Sequence, residues 1–267
     1  MITFCSLFSG SSGNAIYLSS GNTNILIDCG VSGKQIASSL SSIGVNASDI
    51  DAILVTHEHR DHIHGVGIMS RRYDIPIYAN VGTWTAMDNL IGKVKPYNKI
   101  CFETYRQFHI GDIAIRAFPV PHDAAEPVGF NFEIGNVKIT LATDIGHVNQ
   151  GLVSNLEGSN IILLESNHDI EMLKCCSYPY PVKQRILGDK GHLSNDAAGE
   201  LIAHLAEKGT RYFILGHLSK ENNFPQLAYQ TVYNVLQGKR ILVGKDVHLD
   251  VAERDKVGKF LLQGSLK

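Results

Sequence analysis

The sequence predicts an α/β protein with two sheets and a reaction site along one sheet edge. Three observations carry this reading. Short apolar runs alternate with helix-period segments in the first and last thirds. The middle third is a series of strand-like runs. In both halves, apolar runs stop at residues that ligate metals or move protons. ILIDCG at 25–30 and LATDIG at 141–146 both end in Asp-x-Gly, and ILVTH at 53–57 and FILGH at 213–217 both end in His. An apolar run of four or five residues is the signature of a buried strand. The polar residue just past it falls in a loop at the sheet edge, where function concentrates.

The elements follow in order. Residues 2–8 and 14–18 alternate as strands around SGSSGN at 9–14, a turn composition. A strand at 24–27 ends at Asp28, and a helix is expected over 34–40. The strand at 52–55 runs into Thr56 and His57. A helix over 65–73, a strand at 75–79 and a helix over 83–90 come next. Strands are expected at 99–104, 113–120, 127–134 and 137–143, with Gly135-Asn136 as a hairpin turn. A buried strand at 160–164 ends at Glu165. Residues 196–207 form a helix with Ala197, Leu201 and Leu205 on one face, Ser194 or Asn195 as cap and Gly209 past its end. A strand at 212–215 leads to His217. Pro225 opens a helix that Gly238 stops. Final strands are expected at 240–243 and 247–251. No linker or low-complexity segment interrupts the chain, so residues 1–267 read as one domain.

Composition narrows the function. Hydrophobic residues make up 44% and the formal net charge is −2, so no basic excess advertises a nucleic-acid partner. Such a substrate needs a local basic patch, or metal ions that bring positive charge themselves. The five cysteines include no CxxC pair, which fits free thiols in a reducing compartment. With no signal-peptide pattern and no long apolar run, the expectation is a cytoplasmic protein without a membrane span.

HEHRDH at 57–62 is the strongest chemical signal. A stiff buried strand delivers His57 and His59 to a sheet edge, and neutral imidazoles suit zinc and similar divalent ions. Asp61 and His62, one turn on, can reach a second position. Four donors in six residues exceed what one ion takes from a short loop, so two ions are expected. An HxHxDH match arises by chance in roughly one such chain in a thousand. His122, Asp144 and His217 each follow an apolar run and are the further candidates.

Asp28, HEHRDH, His122, Asp144 and His217 resemble the five ordered motifs of the metallo-β-lactamase superfamily. The resemblance implies a four-layer αβ/βα sandwich with two metal ions (Zn, Mn or Fe). It implies that His57, His59 and His122 hold one ion, that Asp61, His62 and His217 hold the other, that Asp144 bridges them and that Asp28 orients the metal loop. An Asp61-His62 pair with a carboxylate bridge fits the phosphodiester and thioester hydrolases of the superfamily. LFSGSSGN at 7–14, PHDA at 121–124, LESNHD at 164–169, GHLSN at 191–195 and GHLSKENN at 216–223 are similar to its YycJ/WalJ branch of bacterial proteins. That likeness implies a 5′-to-3′ exonuclease with DNA as partner.

Catalysis is expected from Asp61 and Asp144 with the ions, and from Glu165 and His192 in delivering a proton to the leaving oxygen. Helix capping and a structural ion pair are the plain alternatives for that last pair. Ser11, Ser12, Gly13 and Asn14 could turn toward a phosphate as an anion nest. Ser219, Lys220 and Asn222 are further phosphate candidates, and Arg71, Arg72, Lys183 and Arg185 are candidate backbone clamps. Rival functions share these ligands: an RNase Z-like RNA endonuclease, a thioester or lactone hydrolase, and a metal-binding signalling protein of low turnover. The first is disfavoured by the lack of a Gly/Pro-rich inserted arm, the last by the complete ligand set.

Overall fold

The computed structural model describes residues 1–258 and the backbone of Leu261–Leu262. The chain forms two compact units. The first holds Met1–Ala117, Ala124–Val128 and the chain from Glu253 on; the second holds Phe118–Asp123 and Gly129–Ala252.

In the first unit, β1 (Thr3–Phe8), β2 (Ala15–Ser19) and β3 (Asn24–Ile27) are followed by α1 (Gly33–Ser42) and β4 (Ala52–Leu54). Then come α2 (Arg60–Ile63), α3 (Val66–Tyr73), β5 (Ile77–Ala79), α4 (Val81–Met87), β6 (Lys99–Cys101), β7 (Gln107–Ile110) and the start of β8 (Ile113–Pro119). The second unit carries β9 (Val128–Ile134), β10 (Val137–Ala142), α5 (Gln150–Leu156), β11 (Ile161–Glu165), α6 (Ile170–Cys175) and α7 (Tyr180–Leu187). It continues with α8 (Asn195–Glu207), β12 (Tyr212–Gly216), α9 (Pro225–Gly238) and β13 (His248–Val251); β14 (Leu261–Leu262) belongs to the first unit's sheet. The two sheets run β14-β1-β2-β3-β4-β5-β6 and β13-β12-β11-β10-β9-β8-β7.

Register explains how separate sequence segments reach one edge. β3 and β4 are parallel with Ile27 opposite Leu54, so Asp28 and Thr56 emerge together. The Asp28 backbone N–H donates to the Leu54 carbonyl at 2.8 Å. In the second unit β10, β11 and β12 are parallel, with Ala142 opposite Leu164 and Glu165 opposite Gly216. Asp144, Glu165 and His217 therefore leave the same edge. Both faces of β4 and β11 are buried, as parallel strands require, and their sequences are accordingly unbroken apolar runs.

Each unit has its own core. In the first, Leu26, Ile36, Leu40, Ile53, Val66 and Met69 pack α1 and α3 onto the sheet. In the second, Leu201 and Leu205 of α8 meet Ala228, Val232 and Leu236 of α9. Each fully buried Leu or Ile contributes about 1.5–3 kcal/mol. Gly199 lets the two helices touch, since a Cβ there would lie 3.0 Å from the Val235 side chain. Ser194 caps α8 by accepting from the Ala197 N–H at 3.2 Å.

The expected strand at 240–243 is absent. Arg240 has φ 62° and Gly244 φ 88°, and the Leu242 carbonyl accepts from Lys245 and Asp246 N–H groups. The segment is a turn with one isolated bridge, Val243 to Val247. The short elements α2, α5, α6, α7 and β7 were not read from the sequence. α5 and α6 start at Asn149 and Asp169, whose side chains accept from the Leu152 and Met172 N–H groups.

Candidate metal centre

The first unit builds its donors on Asp28. This carboxylate is buried and accepts three hydrogen bonds: Thr56 N–H to Oδ1 at 2.9 Å, Thr56 Oγ1–H to Oδ2 at 2.9 Å, and His62 Nδ1–H to Oδ2 at 2.8 Å. His57 Nδ1 lies 3.0 Å from Thr56 Oγ1 and donates to it, since that hydroxyl proton is committed to Asp28. Both imidazoles are thereby fixed with Nε2 as the lone-pair atom, the form that binds a divalent ion. His59 stands at the start of α2, and its ring centroid is 4.7 Å from that of His57. The His62 ring is 4.1 Å from His57, and His62 Nε2 is 3.6 Å from Asp61 Oδ2.

The second unit gathers Asp144, Glu165, His192 and His217, each offering a ligand-type atom within 4.8 Å of the others. Asp144 Oδ1 is 3.7 Å from His122 Nε2 and 3.5 Å from His217 Nε2. Two atoms each about 2.1 Å from one ion, at a tetrahedral angle, lie about 3.4 Å apart, so this spacing fits a shared divalent ion. His122 Nδ1–H donates to the Gly191 carbonyl at 3.1 Å, which again leaves Nε2 as donor atom. Burial pushes the His122 imidazole below its ordinary range, against the pull of Asp144, and so favours the neutral form that ligates.

Glu165 is completely buried. Its Oε1 accepts from His192 Nδ1 at 2.8 Å and from His217 Nδ1 at 2.9 Å, and its Oε2 accepts from the Ile145 and Leu193 N–H groups at 2.6 and 3.1 Å. Burial disfavours its charge, but His192 and His217 outweigh this and hold the carboxyl well below the usual range. Glu165 therefore acts through two imidazoles. His192 keeps a partly exposed side chain whose Nε2 faces away from this bond.

Backbone strain marks the same positions. Among the described residues, six non-glycine residues have positive φ, and three of them are Asp28 (59°), Asp144 (61°) and His217 (54°). Left-handed backbone costs an ordinary residue roughly 1–2 kcal/mol, and its concentration at these strand ends is typical of functional sites. None of the three is glycine, although Asp and His enter this region more readily than most residues.

Other candidates fall differently. Asn14 is buried, with Oδ1 accepting from the Gly10 N–H and Nδ2 lying 3.1 Å from His62 Nε2 and 3.2 Å from the Asp61 carbonyl, so it braces the metal loop. Ser11 and Ser12 are exposed. Lys220 is exposed, whereas Ser219 and Asn222 are buried. Arg71 is engaged by the Ile91 carbonyl at 2.8 Å, and Arg185 by Asp123 at 2.9 Å. A buried amide network was not read from the sequence. Asn223 Nδ2 donates to Ser166 O, Asn167 O and Asn195 Oδ1, while Asn167 Nδ2 donates to the His217 carbonyl at 2.9 Å. Its three asparagines stand in LESNHD, GHLSN and GHLSKENN, segments that carry the resemblance.

His168 also escaped notice. It is buried, and neither ring nitrogen has a hydrogen-bond partner among the described residues. Burial pushes its pKa down from 6.5 to about 4. The unfolded chain then takes up this proton before the folded one does. Stability from the neutral ring is complete above the unfolded value and is lost as pH falls toward 4, by about 3 kcal/mol in all. Urea unfolding of metal-free protein at pH 7 and pH 4.5 should show a smaller acid loss for His168→Gln than for the wild type. An Asp28→Asn exchange should weaken metal affinity about 10–100-fold in a chelator competition, because His62 loses its charged partner.

The beta-lactamase superfamily domain matches residues 23–218. The exodeoxyribonuclease YycJ of Bacillus anthracis is 41% identical over 91% of this chain and 92% of its own length. The exodeoxyribonuclease WalJ of Streptococcus pneumoniae is 44% identical over 90% of each chain. The chain belongs to the metallo-β-lactamase superfamily. Within the superfamily it groups with the YycJ/WalJ proteins, and it is a hydrolase. Its fold agrees: the metallo-β-lactamase fold protein YhfI from Bacillus subtilis superposes with a TM-score of 0.71 at 17% identity, covering 96% of this chain and 98% of that one. The His and Asp cluster suits divalent metal ions. No helix among the described residues is long and apolar enough to cross a membrane.

Proposed function

We propose that this chain is a phosphodiesterase that degrades DNA from the 5′ end, using two divalent ions with His57, His59, Asp61, His62, His122, Asp144 and His217 as ligands. The observation that carries this reading is the identity of more than two-fifths, over nine-tenths of the chain, with relatives named exodeoxyribonucleases. The donor set described above supports it. Divalent ions bound by such residues polarise a phosphoryl oxygen and lower the pKa of water to about 7.

The chain's own groups do the rest. Asp28 and Thr56 fix the tautomers of His62 and His57. Asp144 supplies a carboxylate whose strained backbone aims it at His122 and His217. Glu165 holds His192 by Nδ1, so Nε2 is the atom that delivers a proton to the leaving oxygen. The acid must sit within hydrogen-bond reach of that oxygen, and a ring fixed at one nitrogen has only one way to point.

Metal-analysed protein should be incubated with duplex DNA, single-stranded DNA, a tRNA precursor and a thioester, with Mn or Zn added. Metal-dependent loss of DNA, with the tRNA precursor and the thioester untouched, is the expected result. Cleavage of the tRNA precursor alone would favour an RNase Z-like endonuclease, and turnover of the thioester alone a small-molecule hydrolase.

A further inference from the structure

We infer that a polar groove beside Asp61 seats the nucleic-acid backbone next to the scissile bond, with Arg60 and His64 clamping its phosphates. The inference rests on the nuclease reading above and adds to it a binding track that lies outside the metal ligands.

The groove is open, with a volume of about 490 Å³, and lies wholly in the first unit. Ser11, Ser12, Gln35, Arg60, Asp61 and His64 line it. Arg60 opens α2 and His64 ends it, with the His64 N–H donating to the Arg60 carbonyl at 3.0 Å. Residues four apart on a helical turn share a face. Both side chains are exposed, and neither has a hydrogen-bond or ion-pair partner among the described residues. This separates them from Arg71 and Arg185, two of the four clamps suggested by sequence, which are held by the protein itself. Arg60 also stands between His59 and Asp61, so an anion it holds lies next to the metal loop.

The opposite wall is fixed to that loop. The Asn14 N–H donates to the Asp61 carbonyl at 2.8 Å, and the Gly30 N–H donates to the Asn14 carbonyl at 2.7 Å. Gly30 is required at this crossing, because a Cβ there would lie 1.6 Å from the Asp61 carbonyl oxygen. The turn that carries the exposed Ser11 and Ser12 is thereby tied to the metal loop, which lowers the ordering cost when a ligand arrives. A guanidinium and an imidazole without acidic partners, hydroxyl groups and a neighbouring metal loop together select a phosphate chain. Asp255 is the acid of the lining besides Asp61. With Asp61 as a metal ligand, as proposed above, Asp255 is the one acid left in a lining that also holds a guanidinium and an imidazole. Contacts of this type read phosphates and not bases, so the track is indifferent to sequence.

The test uses the full-length, metal-loaded enzyme and its Arg60→Glu, Arg60→Lys and His64→Gln variants. Duplex DNA cleavage is followed between about 50 and 200 mM salt, with metal content measured for each protein. The expected result is a KM about tenfold higher for Arg60→Glu at low salt, with kcat within about threefold. The slope of log KM against log salt falls by about one, Arg60→Lys recovers most of the loss, and His64→Gln shows a smaller rise in KM. An unchanged KM and slope in metal-replete Arg60→Glu overturns the inference, as does a fall in kcat alone. If Arg60→Glu loses metal, Arg60→Lys and His64→Gln decide in the same terms. A wild type that cleaves no DNA brings down the nuclease reading and this inference together; a wild type that cleaves DNA regardless of Arg60 and His64 brings down only the inference.

Discussion

His59→Ala is expected to lower DNA turnover by about a thousandfold and to release metal. The reason is local. His57 and His62 are held in their ligating tautomers by Thr56 and Asp28, so they survive the substitution in place. His59 stands at the start of α2, where it precedes Arg60. Removing its imidazole takes away a donor without disturbing the fold around it. Metal analysis beside activity separates this from misfolding: the variant should unfold like the metal-free wild type and bind fewer ions per chain. Full activity at full metal content would show that His59 is not a ligand.

The second large effect concerns His192. Its replacement by Ala should cost about 10²- to 10⁴-fold in turnover of DNA, the usual worth of a general acid, with metal content retained. A p-nitrophenyl phosphodiester, whose leaving group needs no proton, should lose far less. Glu165→Gln should behave in part like His192→Ala, because the carboxylate that holds Nδ1 is gone. It should in addition weaken metal binding, since Glu165 Oε1 also holds His217 Nδ1. A loss of metal in His192→Ala, with equal damage on both substrates, would instead make His192 a ligand, an arrangement its place within 4.8 Å of Asp144 and His217 permits.

Much of this was legible in the sequence, for definite reasons. HEHRDH is contiguous, so its donors needed no knowledge of topology. Asp144 and His217 were legible because the buried strands before them are unbroken apolar runs, and a parallel sheet brings the ends of such strands together. α8 and α9 were legible from period and caps. What was missed depends on long-range pairing or on backbone shape. Left-handed φ at Asp28, Asp144 and His217 carries no residue signature. The Asn167, Asn195 and Asn223 network joins residues up to 57 positions apart. For Glu165 the sequence offers support of proton delivery or a structural ion pair, and its four accepted hydrogen bonds, from residues 20 to 52 positions away, lie beyond sequence reading. Arg60 has no signal of its own in the sequence, since it stands between the ligand-type residues His59 and Asp61.

The central claim is that metal-dependent hydrolysis begins at a 5′ end of DNA. The most direct measurement compares 5′-labelled and 3′-labelled duplexes, incubated with metal-loaded wild-type protein and with His59→Ala. The account predicts that the 5′ label appears at once in the smallest products, while the 3′-labelled strand shortens gradually, and that both changes vanish in His59→Ala and under chelation. Release of the 3′ label first, internal cuts from the outset, or equal degradation by metal-free protein would contradict it.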